Sequence, residues 1–228
     1  GAGPAAARNA GWRESTAAVV CFTDDDCEPA SGWARDLAAP ILAGETEAAA
    51  GATVVAPGAS AGDRAWGAIV DHLQRQSAAP RSPSPGFAPT ANLACSRRLL
   101  EEIPFDESFA AAAGEDRDWA QRAAARGRAP RYVPEAVVIH RPGLRVAGFV
   151  RQQYRYGRGA ARYRQAASGR RIGPPAFYAG LVRAGFAAGP GAGTLVCAAQ
   201  LATVAGVVVE RIAGVAASAR SAARRQGR

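Results

Sequence analysis

Three consecutive aspartates, Asp24-Asp25-Asp26, follow directly on the apolar run Val19-Val20-Cys21-Phe22. Adjacent carboxylates repel one another, so either solvent on a loop or a cation among them must sustain the group. Alternation along an extended chain would put Asp24 and Asp26 on one side and Asp25 on the other. Two same-side carboxylates suit a hard cation such as Mg²⁺ or Mn²⁺, which often keeps water and phosphate oxygens as its other ligands. A solvated acidic turn, or an aspartate capping the segment after Pro29, explains the run equally well. The spacing does not fit a calcium-binding EF-hand loop.

A second acidic group, Glu115-Asp116, follows Gly114 at the start of a helical pattern. Acids in a first helical turn gain about 0.3–1 kcal/mol each from the helix dipole. That accounts for one acid, whereas Glu107, Glu115, Asp116 and Asp118 together exceed what capping needs. A carboxylate here can act as general base for a hydroxyl nucleophile. His140 closes an apolar run and is followed by Arg-Pro. A lone histidine is more often structural than a ligand. His72, on an amphipathic helix, reads as a surface residue.

Alternating strands and helices must position these groups. Thr16–Thr23, Ala52–Pro57 and Arg131–His140 read as strands. Pro4–Ser15 reads as a helix closed at or soon after Gly11. Ser31–Gly44 reads as a helix that Pro40 bends or interrupts. Asp63–Gln76 is amphipathic, with Trp66, Ile69, Val70 and Leu73 on one face. Ser77–Gly86 is a Pro/Ser loop, and Phe87–Arg97 is extended before a short helix. The helix opened by Glu115 stops near Gly127. The order is that of an α/β domain over the first 140 residues.

Charge divides the chain of 228 residues. Residues 1–140 carry 13 arginines and 18 acids, net −5, whereas residues 141–228 carry 15 arginines and one acid, net +14. All 28 basic residues are arginine, and there is neither lysine nor methionine. Four cysteines (Cys21, Cys27, Cys95, Cys197) form no CxxC pair and there are two histidines, so a structural zinc site is not expected and nothing demands disulfides. No secretory signal opens the chain. Ala184–Val209 is a stretch of 26 residues without a charge, long enough to cross a bilayer, and the basic tail beyond it favours the cytoplasmic side.

The order of these pieces, Asp24-Asp25-Asp26 at a strand end, Thr90-Ala91-Asn92 before Leu93, then Glu115-Asp116 and a strand to His140, resembles the family 2 glycosyltransferases, inverting enzymes with the GT-A fold. The match covers roughly residues 4–160. The family's Asp-x-Asp element looks like Asp24–Asp26, its Glu-Asp element looks like Glu115-Asp116, and its Gly-x-Asn segment looks like Thr90–Asn92. The resemblance implies a Rossmann-like mixed sheet flanked by helices. It implies that Asp24 and Asp26 hold Mn²⁺ or Mg²⁺ on the diphosphate of a nucleotide-sugar, Asp26 more directly, with His140 completing the metal shell. Arg8, Asp24, Asp25 and Asn92 are then the donor contacts. Asp116, beside Glu115, would deprotonate the acceptor hydroxyl of a glycan or lipid-linked acceptor, with inversion at the anomeric carbon.

The expected organisation is a catalytic domain over residues 1–143, a basic membrane-apposed amphipathic region over 144–175, and hydrophobic helices with a basic tail over 176–228. Arg151-Gln152-Gln153-Tyr154-Arg155-Tyr156-Gly157 would lie at an anionic membrane face, and it lacks the tryptophan of the Gln-x-x-Arg-Trp element of processive synthases. Members of the family usually begin about 80–90 residues earlier, so a chain short of its nucleoside-binding strands is expected, with impaired activity. Three rivals remain. A nucleotidyltransferase of similar fold would want a Gly-rich phosphate loop, and none is seen. A non-catalytic membrane-anchored fragment would bind no nucleotide. A nucleic-acid binder would use the +14 half, but the uncharged stretch beside it argues for a membrane.

Overall fold

The computed structural model describes residues 3–78, 87–109, 114–166 and 174–226. The Pro/Ser loop therefore lies, from residue 79 to residue 86, outside the described residues.

Five strands form one mixed sheet. They are β1 (Val19–Phe22), β2 (Cys27–Pro29), β3 (Ala48–Val55), β4 (Leu93–Ser96) and β5 (Arg131–His140), in the order β1-β4-β3-β5-β2. Only β3 and β5 run parallel; the other neighbours are antiparallel. Side-chain alternation sends the two faces of the sheet into two cores. Ala48, Ala50, Leu93 and Cys95 face a cluster with Leu99, Phe105 and Trp119. Ala49 and Ala94 face the opposite cluster, with Leu37 and Ile41. Helices α1 (Gly3–Glu14), α4 (Arg97–Glu102) and α5 (Glu115–Ala124) supply the first face and α2 (Trp33–Leu42) the second. Burying one large side chain such as Trp119 contributes about 1.5–3 kcal/mol.

Local chemistry sets the boundaries of these elements. Gly11 does not close α1, which continues to Glu14. Pro40 lies inside α2, in its last turn, and the helix stops at Leu42. Gly127, at φ +75°, ends the turn after α5 and donates its N–H to the Ala124 carbonyl at 2.9 Å. The pairing of β3 with β5 shifts between Gly51 and Ala52, where Pro134, Glu135 and Ala136 bulge from β5. A proline cannot donate to the ladder, so a bulge is where it is tolerated. Asn92 fills the gap and leaves no room for a side chain at Gly51, where a Cβ would stand 2.1 Å from the Ala136 carbonyl oxygen and 2.5 Å from the Asn92 amide.

Helix α3 (Ala61–Ala78) joins the sheet to a helical layer of α6 (Val146–Ala166), α7 (Pro175–Ala187) and α8 (Pro190–Gln226). Trp66 and Val70 of α3 share one core with Phe149, Leu181, Leu195 and Val196, so the basic half packs directly on the sheet half. His72 is part of this seam rather than a surface residue: its Nε2 lies 3.1 Å from the Phe177 carbonyl oxygen, and its ring stands 5.0 Å from that of Phe177. Helices α6 and α8 approach backbone to backbone. A Cβ at Gly157 would meet the Thr203 carbonyl oxygen at 2.1 Å, and one at Gly206 the Tyr154 oxygen at 2.2 Å. Arg158 on α6 pairs with Glu210 on α8 at 2.7 Å.

The uncharged run Ala184–Val209 is not one helix. It breaks at Gly189, which adopts φ +125°, and Pro190 then opens α8 in the first-turn position that proline favours. The window Pro190–Gly214 is still long and apolar enough to cross a membrane by length and composition, and one third of it is buried in the protein. Leu201, Val204, Val208 and Ile212 leave an exposed apolar stripe along it.

Candidate active site

The aspartate run does not prolong β1. That strand ends at Phe22, and Asp24–Asp26 form a turn, closed by the Cys27 N–H donating to the Asp24 carbonyl at 3.2 Å, that delivers the chain into β2. A turn keeps three like charges solvated, which a continued ladder would not. Asp24 and Asp26 consequently part company. Asp24 leans towards α1, where Arg8 Nη2 donates to its Oδ1 at 3.3 Å. Asp26 leans towards β5, where its Oδ1 lies 3.0 Å from His140 Nε2. The Arg141 N–H also donates to the Asp26 carbonyl at 2.9 Å, which anchors the turn to the end of β5.

Arg8 joins the two acidic elements. Its other terminal nitrogen, Nη1, donates to Glu115 Oε1 at 3.0 Å, across 107 residues of sequence. Glu115 is buried and sits in the first turn of α5. Gly114 sets the entry to that helix at φ +103°, a left-handed conformation that a side chain would strain. Asp116 is the second residue of α5 and half-buried; its Oδ1 accepts the Arg117 N–H at 2.7 Å. Burial, and then the neighbouring Glu115 carboxylate, push its carboxyl up to about 6. That value suits a group that must both take and release a proton near neutrality. Tyr156 of α6 comes close enough that the Asp116 charge acts on its hydroxyl, in the direction that raises it.

The arginine is held in place by its neighbour. Asn9 is buried, donates through Nδ2 to the Phe105 carbonyl and to Glu107 Oε1, both at 2.8 Å, and accepts the Phe105 N–H at 3.0 Å. An asparagine inside a helix is a poor helix former, and its cost is offset here by pinning α1 to the segment that leads into α5. Between α1 and β1 opens a cleft of about 650 Å³, lined among others by Arg8, Trp12 and Asp24 to Asp26. A second hollow of about 430 Å³, between the end of α2 and β5, carries no comparable group of acids.

Asn92 is placed differently from a cleft residue. Its Nδ2 donates to the Ala52 and Ala136 carbonyls, both at 2.9 Å, and its Oδ1 accepts the Trp33 indole N–H at 2.8 Å. Its polar atoms hold β3, β5 and α2 together. Asp25 lines the cleft beside Asp24.

Three site residues carry no sequence signal strong enough to single them out. Cys27 follows the aspartates and joins Asp26 and His140 in a group whose ligand atoms lie within 4.8 Å of one another. Burial, opposed by a backbone hydrogen bond and reinforced by the Asp26 and Asp24 charges, pushes its thiol up to about 11. Trp66 lays its ring 4.2 Å from that of His140, fixing the imidazole from the side of α3. Tyr156 reads in sequence only as one aromatic among arginines.

Residues 1–103 match a family model described as Glycosyl transferase family 2. Two curated relatives carry the name pre-mycofactocin glycosyltransferase, from Mycobacterium tuberculosis strains CDC 1551 / Oshkosh and ATCC 25618 / H37Rv. Each is 29% identical to the chain over 164 residues, which is 70% of this chain and 34% of the relative. The chain thus spans about a third of the length of these relatives.

Proposed function

We propose a reaction for a chain whose first 103 residues are a glycosyltransferase family 2 segment: metal-dependent transfer of a sugar from a nucleotide-diphospho-sugar to an acceptor hydroxyl, with inversion. The observation that carries this reading is the double ion pair of Arg8, which links the aspartate turn to the start of α5 through one guanidinium. Both acidic elements then serve one reaction, with Asp24 to Asp26 on the donor side and Asp116 on the acceptor side.

Asp26 and His140 would hold the divalent cation, Mn²⁺ or Mg²⁺, which supplies positive charge to the departing diphosphate when bound. Asp25 and Asp24 would meet the donor, and Arg8 can turn one guanidinium nitrogen from Asp24 to a phosphate oxygen without leaving Glu115. Asp116 takes the proton of the acceptor hydroxyl as that oxygen bonds to the anomeric carbon and the bond to the diphosphate oxygen breaks. A single displacement of this kind inverts the anomeric centre. Glu115 pairs with Arg8, and its carboxylate, after burial, helps to hold the Asp116 carboxyl near 6.

The acceptor would arrive at a membrane surface. The exposed stripe Leu201, Val204, Val208 and Ile212 on α8, with exposed Arg151 and Arg155 on the packed helix α6, suits an anionic lipid face on the cytoplasmic side. The catalytic, membrane-apposed and hydrophobic segments, 1–143, 144–175 and 176–228, would then act as one body through the core shared by α3 and α8.

Calorimetric titration of UDP and GDP tests the donor site, with Mn²⁺, without it, and on Asp26→Ala. Nucleotide binding that requires Mn²⁺ and weakens at least tenfold in the variant, about 1.4 kcal/mol, is expected. Binding indifferent to both metal and variant overturns the reading.

A further inference from the structure

The cation site contains a sulfur donor, and that changes which cations it favours. Cys27 and His140 are directly opposed residues of the antiparallel pair β2–β5, so the ladder itself sends their side chains to one face, with Cβ atoms about 4.5–5.5 Å apart. Asp26, one residue before, reaches the same point from the turn: its Oδ1 lies 3.0 Å from His140 Nε2 and 3.8 Å from Cys27 Sγ. Around a tetrahedral cation with ligand bonds of about 2.0–2.3 Å, neighbouring donors stand roughly 3.3–3.7 Å apart. The observed separations bracket that range. His140 is more than nine-tenths buried, its Nδ1 has no hydrogen-bond partner, and Trp66 backs its ring at 4.2 Å. A buried imidazole whose one polar partner is a half-exposed carboxylate is incompletely satisfied, and its Nε2, facing Asp26, is placed to take a cation. Asp24, which a purely carboxylate site would need, is engaged by Arg8 instead.

Resting on the donor-site reading above, we propose that Asp26, Cys27 and His140 form a mixed oxygen, sulfur and nitrogen site that prefers borderline cations over Mg²⁺. Zn²⁺ and Co²⁺ accept thiolate and imidazole, whereas Mg²⁺ demands six oxygens in near-ideal octahedral geometry. Three protein ligands leave positions open for diphosphate oxygens or water, which is the arrangement of a working cation rather than a structural one. When the cation binds, the sulfur gives up its proton to solvent and bonds to the metal, so loading releases one proton at this residue.

The test is spectroscopic and needs no turnover. The chain is titrated with Co²⁺ and its absorption recorded. A sulfur-to-cobalt charge-transfer band in the near ultraviolet is expected at one equivalent. It should vanish in Cys27→Ser and in His140→Ala, and persist in Cys21→Ser and Cys197→Ser. Competition with Zn²⁺ should erase the band at concentrations at least a hundredfold below those at which Mg²⁺ does. Cys27→Ser replaces sulfur with oxygen at nearly constant shape, and an unchanged circular dichroism spectrum shows that the fold is kept. Should His140→Ala unfold, His140→Gln replaces it. Co²⁺ bound without the band, or a band that survives Cys27→Ser, overturns the proposal. Mn²⁺-dependent UDP binding, measured on the same samples, separates the two readings: if it persists while the band is absent, only the sulfur ligand is lost and the donor site stands.

Discussion

The two acidic elements share one arginine, Arg8, and are built in opposite ways. The aspartate turn is open, with the side chains of Asp24 and Asp26 40% and 44% exposed. The start of α5 is closed: Glu115 is buried against Arg8, and burial raises the Asp116 carboxyl to about 6. Exposed carboxylates can accept a cation without a large desolvation penalty. A half-buried acid beside a second carboxylate holds its proton more tightly and can exchange it near neutral pH. On the proposed reading the same residue type would serve as a cation ligand in one place and a proton carrier in the other, with solvent access making the difference.

The comparison is most exposed to failure at Asp116. Asp116→Asn keeps the shape and removes the proposed base, so transfer to an acceptor should fall by about 10²–10⁴-fold, while Mn²⁺-dependent UDP binding stays within a few-fold. The same variant should be more stable at high pH. A folded carboxyl raised from its ordinary value near 3.8 to about 6 stabilises fully only when protonated, and that contribution is lost as pH rises through 6. A shift of that size corresponds to about 3 kcal/mol of ionisation cost. Urea unfolding at pH 8 should therefore show Asp116→Asn more stable than the parent by up to about 3 kcal/mol, and the gap should close by pH 4. An equal gap at both pH values would place Asp116 in solvent and remove the contrast with the aspartate turn.

Arg8 is the tie between the elements, and cutting it should affect them unequally. Arg8→Ala leaves Glu115 buried without its guanidinium, whereas Asp24 stays in solvent. Loss of one partner of a buried pair costs about 3–5 kcal/mol; with Arg8 itself 17% exposed, about 2–3 kcal/mol is expected. Arg8→Lys retains charge but cannot fork to two acids, so it should recover part of the loss. A double-mutant cycle in urea with Glu115→Gln should give a coupling several times that of the cycle with Asp24→Asn. Equal couplings would mean that the two elements share one environment.

Much of this was legible in the sequence, for physical reasons that also explain the remainder. Strand β1, helix α3, the start of α5 at Gly114-Glu115 and the strand to His140 each carry a local pattern that burial reinforces, and the structure has them where that pattern puts them. Residues 1–103 bear out the resemblance to family 2 glycosyltransferases. What local pattern cannot convey is which way a turn releases its side chains. Alternation kept Asp24 and Asp26 together, but a tight turn sends them to Arg8 and to His140. Cys27 carries no local signal, because only the register of β2 against β5, a contact across 113 residues, sets it opposite His140. His72 looked like a solvent residue because its partner, the Phe177 carbonyl, lies more than a hundred residues away. The uncharged run to Val209 looked continuous because hydropathy is indifferent to the break that Gly189 and Pro190 impose.

Gly11 offers the smallest effect and the cleanest control on the contrast. Of the closures expected, at Gly11 or soon after it, α1 takes the later and runs on to Glu14, leaving a glycine inside the helix at an exposed position. A Cβ built there meets nothing within 4 Å, so alanine costs no packing and removes backbone freedom from the unfolded chain. Gly11→Ala should therefore raise stability by about 0.5–1 kcal/mol. Because α1 carries Arg8, the helix that ties the two elements becomes firmer while neither acid changes its solvent access. The stabilisation should be the same at pH 4 and pH 8, unlike that of Asp116→Asn. A pH-dependent gain would show that the fraying of α1 governs the burial of Asp116, and the carboxyl's position near 6 would then belong to the helix tie rather than to α5 itself.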